Sequence, residues 1–153
     1  MNKTEMFEDF KLITKMYASE KCKAGMITYL FLSDPERWRV TGITKDALIR
    51  LKEYDFKKTT GIKLHRAHKH SRYNTYVGML SKEFKNSDEW WQFYYEHDET
   101  IIATSSENAT GNYSKIFAVD SSIGLFKTSG YSFTHKKFEI DFLKRLHSQH
   151  LRD

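Results

Sequence analysis

"GIKLHRAHKHSRYNTYVGMLSKEF", residues 61–84, changes its period midway. Up to position 68, Ile62, Leu64, Arg66 and His68 alternate with Lys63, His65 and Ala67, the two-residue repeat of a strand whose side chains point to opposite faces. From Asn74 onward, "NTYVGMLSKEF" spaces its apolar residues as a helix does. A strand that gives way so quickly to a helix sets the class as mixed.

The flanks extend that pattern. Downstream, "SDEWWQFYYEH" (87–97) reads as a helix capped by Ser87, with Trp90, Phe93 and Tyr94 in the core. Trp91 and Tyr95 then point elsewhere, towards a partner or a base-stacking surface. "ETIIATSS" (99–106) reads as a strand, and "SKIFAVD" (114–120) and "GLFKTSGYSF" (124–133) continue as strands around Gly124 and Gly130. The last helix, "HKKFEIDFLKRLHSQHL" (135–151), carries Phe138, Phe142 and Leu146 on one stripe. Upstream, "TEMFEDFKLITKMYASEKCKA" (4–24) places Met6, Phe10, Ile13 and Tyr17 near helical spacing behind a Thr4 cap. "GMITYLFL" (25–32) is short, apolar and rich in β-branched and aromatic residues, so it reads as a buried strand, and "SDPERWRV" (33–40) as a turn at Pro35. "GITKDALIRLKEY" (42–54) is a short helix with Thr44 as cap and Leu48 and Leu51 on one face. The expectation is α+β: a small, mainly antiparallel sheet bracketed by N-terminal and C-terminal helices, in a single domain over 1–153.

Composition narrows the partners. Aromatic residues make up 15% of the 153 positions, enough large side chains to build a core with few valines and isoleucines. Cys22 is the single cysteine, which excludes an internal disulfide and a cysteine-based zinc finger. The early acids of "MNKTEMFEDF" do not suit a secretory signal, and no apolar run approaches membrane-spanning length. These features lead to the expectation of a cytoplasmic, reduced protein without a membrane partner. No phosphate-cradling glycine loop, nucleophile elbow or dinucleotide fingerprint is present.

Charge carries the clearest signal. Net charge is +5, and between Asp55 and Glu83 there is no acidic residue, while Lys57, Lys58, Lys63, Arg66, Lys69, Arg72 and Lys82 fall inside. The following stretch reverses sign through Glu83, Asp88, Glu89, Glu96, Asp98, Glu99 and Glu107. A basic block holding Tyr73 and Tyr76 suits phosphate neutralisation with a stacking face for bases. The expected partner is nucleic acid, DNA ahead of RNA, met by Lys57, Lys58, Lys63, Lys69, Arg72, Tyr73 and Tyr76. The plainer alternative is an exposed basic face balanced by its acidic neighbour.

Three histidines, His65, His68 and His70, sit inside that block. A strand puts His68 and His70 on one face and His65 on the other, so the three do not converge on a transition metal. His68 as a general base against a phosphodiester is a second chemistry: an imidazole accepts a proton near neutral pH, and the adjacent cations hold the phosphate. Such a site needs a divalent ion, and Glu107 and Asn108, following the strand "TIIATS", are the candidate ligands for Mg2+ or Mn2+. The expected function is the second, a metal-dependent endonuclease with His68 as base; the alternative gives the histidines no catalytic role and leaves a non-catalytic nucleic-acid-binding module built on the 57–82 block.

"HRAH" (65–68) resembles the strand-end motif of the His-Me finger, or ββα-metal, nucleases. The resemblance covers about 45 residues. It implies a metal-dependent endonuclease in which His68 is the base, Arg66 and Arg72 touch phosphate, and Asn108 holds magnesium, with His65 beside them. His65 stands where the non-specific branch of that family carries an acid, and Ala67 where it carries glycine.

Overall fold

In a computed structural model describing residues 2–32, 34, 37–57, 61–127 and 136–151, the chain opens with α1 (Lys3–Lys15) and α2 (Glu20–Phe31). There follow β1 (Arg39–Thr44), α3 (Lys45–Glu53), β2 (Leu64–His68), α4 (Arg72–Leu80) and α5 (Ser87–His97). β3 (Glu99–Thr104), α6 (Ser105–Thr110), β4 (Ile116–Ala118), a 3-10 turn at Ser121–Ile123 and α7 (Lys137–His150) complete it. The α+β class is as expected, with helices at the N- and C-terminal ends of the chain and a four-stranded mixed sheet. Contacts gather into two units, Met1–Arg37 with His68–Glu99, and Trp38–Ala67 with Thr100–Asp153.

The helices of the first unit close around aromatic rings. α1 starts at Asn2, not Thr4: the Asn2 side chain accepts from the Glu5 amide at 3.0 Å and the Glu5 carboxylate accepts from the Asn2 amide at 2.8 Å. Met6 and Phe10 are buried as expected, whereas Tyr17 lies beyond the helix end and is fully exposed. The expected strand at 25–32 is a helix, because the apolar repeat begins earlier. Ala24, Ile27, Leu30 and Phe31 share one buried face while Tyr29 points outward, and Ser19 caps the start. Phe31 stacks on Tyr94 with ring centroids 3.5 Å apart and on Trp90 at 5.2 Å; Phe7 and Phe10 reach Trp90 at 5.6 and 5.5 Å. Asn86, not Ser87, caps α5 by accepting from the amides of Asp88 and Glu89. Trp90 and Tyr94 are core as expected, while Phe93, Trp91 and Tyr95 are half-buried.

In the second unit the strand order is β2-β3-β1-β4, with β4 antiparallel to β1. Thr44 caps α3 and Leu48 and Leu51 are buried, both as expected. The buried stripe of α7 differs from expectation. Glu139, Leu143, Leu146 and His147 face inward, Phe142 is half-buried and Phe138 is exposed at 45%. The cause is a carboxylate: Glu139 accepts from the backbone amides of Phe126 at 2.9 Å and Lys136 at 3.2 Å. Those bonds tie the start of α7 to the preceding chain and rotate Phe138 outward. The segment 124–127 is a turn entered through Gly124 at φ 64, where a strand was expected; 128–133 fall outside the described residues.

Among the described glycines, Gly42 has the closest neighbours. A Cβ there would stand 2.8 Å from a methyl of Ile116 and 3.1 Å from a methyl of the buried Ile101. Gly42→Ala is expected to cost about 1–3 kcal/mol in urea denaturation, the usual range for overpacking. A variant as stable as the parent would show that β4 yields at no cost.

Candidate nucleic-acid interface and the Glu107 latch

The basic block divides into cations that face solvent and cations already engaged by the chain. Lys57 and Lys63 are exposed and, among the described residues, meet no carboxylate. Lys58 lies outside the described residues. Lys69 is exposed but pairs with Glu99 at 2.7 Å. Arg66 is half-buried and its guanidinium donates to the Phe126 carbonyl, so it braces the turn before α7. Arg72 is half-buried in the first turn of α4.

Tyr73 and Tyr76 part company. Tyr73 is 46% exposed, and its hydroxyl donates to Glu20 at 3.0 Å, a bond that raises its pKa and fixes the ring. Tyr76 is 3% exposed and stacks on Phe31 with centroids 6.1 Å apart. Its ring belongs to the aromatic core and is not available as a stacking face for bases.

The histidines likewise take separate positions. Lys63 adopts φ 51, a backbone conformation that side chains disfavour, and its carbonyl accepts from the Ser105 amide and hydroxyl, each at 2.9 Å. His65 is exposed, with Nε2 at 2.9 Å from the same Ser105 hydroxyl oxygen. A serine hydroxyl has one proton, here committed to the Lys63 carbonyl, so Nε2 of His65 is the donor to Ser105. His65 therefore braces the start of α6 and does not act as a base towards Ser105. His68 closes β2 at the other end; its ring is half-buried and its Nδ1 has no solvent access.

Glu107 and Asn108 follow the strand as expected, and they sit on α6. The carboxylate of Glu107 is occupied on both oxygens. Oε2 accepts from the Thr44 hydroxyl at 2.8 Å, the Thr104 amide at 2.8 Å and the Thr104 hydroxyl at 2.9 Å. Oε1 accepts from the Ser114 amide at 2.9 Å and its hydroxyl at 2.6 Å. Burial pushes this carboxyl up, but the bonds from Ser114, Thr104 and Thr44 outweigh it and hold the pKa at about 2.

Each partner also serves a helix start. Thr44 accepts from the Ala47 amide, Thr104 from the Glu107 amide, and Ser114 from the Asp46 amide, at 3.1, 3.3 and 3.1 Å. Glu107 thus latches the N-termini of α3 and α6 to the 114 segment.

That latch bears directly on a divalent ion. A metal at Glu107 would displace donors that already fill both oxygens, and Asn108 beside it offers one exposed, neutral amide. Among the described residues no group of three His, Cys, Asp or Glu side chains is placed to hold a metal. Glu107 and Asn108 do not fit the ligand role expected of them. The sequence reading missed Thr44, Thr104 and Ser114 as partners of Glu107, although Thr104-x-x-Glu107 has the spacing of a capping box.

No protein-family profile, curated protein or solved structure matches the chain. Among the described residues no helix is long and apolar enough to cross a membrane.

Proposed function

We propose that the chain is a non-catalytic nucleic-acid-binding module that grips phosphate through the cations of the 57–82 block. The observation that carries the reading is the pair Lys57 and Lys63, exposed ammoniums without a carboxylate partner among the described residues, in a stretch free of acids. In the other unit Lys69 is exposed beside Glu99, a solvent-accessible pair of small worth that a phosphate would open. The test is binding of labelled duplex and single-stranded DNA and RNA at about 50 and 200 mM salt, where phosphate contacts lose affinity steeply. Absence of binding at the lower salt removes the proposal.

A phosphodiesterase with His68 as general base is the second reading. It is favoured by the half-buried setting of that ring, which limits how the imidazole turns and which nitrogen reaches water. Supercoiled plasmid and structured RNA are incubated with Mg2+ or Mn2+ against a chelator control. On this reading the parent cleaves, and His68→Ala loses cleavage at least about a hundredfold while keeping its affinity. An inert parent, or an active His68→Ala, leaves the binding module alone.

A further inference from the structure

A groove of about 250 Å³ runs between α2 and α4 in the first unit, and its walls combine two cations with an aromatic ring. α2 contributes Lys21, Gly25 and Thr28, three positions of one helical face, and α4 contributes Arg72, Tyr73 and Tyr76. Lys21 is exposed and, among the described residues, has no ion pair. Tyr76 forms an apolar floor, buried against Phe31. Tyr73 stands at the rim with its ring held by the hydroxyl bond to Glu20, so a planar ligand meets a surface that is already oriented.

Gly25 gives the groove its meaning. Glycine inside a helix is costly, because it fixes the most flexible backbone and adds no side chain. Gly42, by contrast, has two methyls against it, and Gly61, Gly111 and Gly124 take a positive φ. Gly25 has neither. A Cβ built there meets nothing within 4 Å, and its φ is not in the left-handed region. Among the described residues, no contact explains why the middle of α2 lacks a side chain on the wall of the groove. A ligand lying across that wall does.

We infer that the α2–α4 groove seats one phosphorylated nucleoside, its base against Tyr73 and its phosphate on Lys21 and Arg72. The inference rests on the nucleic-acid reading for its choice of ligand, but uses residues that the Lys57 and Lys63 surface does not. Two cations suit one phosphate, a tyrosine face suits any base, and the volume excludes a double helix. The same chemistry is supplied by a free nucleotide or by the 5′-phosphorylated end of a single strand.

Three probes separate these cases by fluorescence anisotropy competition: adenosine 5′-monophosphate, a 5′-phosphorylated twelve-nucleotide single strand, and a blunt duplex without terminal phosphates. Gly25→Leu is expected to weaken the monophosphate or the phosphorylated strand at least about tenfold while leaving the duplex within about twofold. Its melting temperature is expected to rise, since leucine favours helix where no atom opposes it. Lys21→Glu is expected to weaken the phosphorylated strand and to leave its unphosphorylated counterpart unchanged. Binding of the monophosphate assigns the groove to free nucleotides; binding of the phosphorylated strand alone assigns it to strand ends. The inference is overturned if Gly25→Leu and Lys21→Glu bind both small probes as the parent does. It is also overturned if the parent binds the duplex and neither small probe, a result that leaves the wider nucleic-acid reading intact. Failure of all three probes, duplex included, overturns both.

Discussion

Glu107→Gln is expected to lower the unfolding free energy at pH 7 by about 3 kcal/mol, and most of that loss is expected to vanish in acid. The carboxylate sits at a pKa of about 2 against an ordinary 4.5, and each pH unit of that gap is worth 1.36 kcal/mol. A carboxyl depressed by folding stabilises the native state fully above its unfolded pKa. That contribution is present above about pH 4.5 and fades as the pH falls towards 2. The glutamine amide keeps the shape but turns an NH2 group towards amides and hydroxyls that can only donate in those positions, so at least one buried donor loses its partner. Urea denaturation of parent and variant at pH 7 and at pH 3 is the measurement. A difference of the same size at both pH values would show that shape, not charge, does the latching. No difference at pH 7 would show that the bonds from Thr44, Thr104 and Ser114 are replaced by water at no cost.

The latch shows what local patterns reveal and where they stop. A capping box is a three-residue matter, so Thr104 and Glu107 announce themselves in "TSSE", and Thr44 likewise before "KDAL". That the same carboxylate also takes Thr44, 63 positions earlier, and Ser114 is decided by tertiary closure, which has no period to read. The strand at 64–68 and the helix at 72–80 were legible because their repeats differ, two residues against three or four. The apolar run at 25–32 was not, since a buried helix face and a buried strand look alike over eight residues. Only the continuation back to Ala24 and the Ser19 cap separates them. On α7, spacing pointed to Phe138, but buried hydrogen bonds to Glu139 set the rotation of the helix. Hydrophobic periodicity is blind to a buried carboxylate. For the same reason the charge map located the exposed cations at 57 and 63, yet gave no sign that Arg66 serves the Phe126 carbonyl or that Tyr76 lies in the core. The separation of His65 from His68 was legible in the two-residue repeat, but the Ser105 hydroxyl that meets His65, 40 positions later, was not.

The double variant Lys57→Ala/Lys63→Ala is expected to lose about 200-fold in duplex affinity at 50 mM salt and about 20-fold at 200 mM, if each lysine neutralises one phosphate. The argument is counterion release. Each neutralised phosphate frees close to 0.9 of a condensed cation, so two lost contacts flatten the slope of log affinity against log salt by about 1.8. The penalty therefore shrinks as salt rises, which distinguishes lost phosphate contacts from a damaged fold; misfolding would cost the same factor at both concentrations. Both side chains are exposed and, among the described residues, carry no ion pair, so their removal leaves no buried charge behind and should not move the melting temperature. Lys69→Ala is the internal comparison. Its ammonium already meets Glu99 at 2.7 Å, and truncation uncovers that carboxylate as well as removing a cation. Its loss should exceed that of either Lys57→Ala or Lys63→Ala if phosphate lies close to Glu99, and Lys69→Ala/Glu99→Gln should then recover part of the affinity. A slope unchanged by the double variant would place the phosphate contacts outside residues 57 and 63 and defeat the interface proposed for this chain.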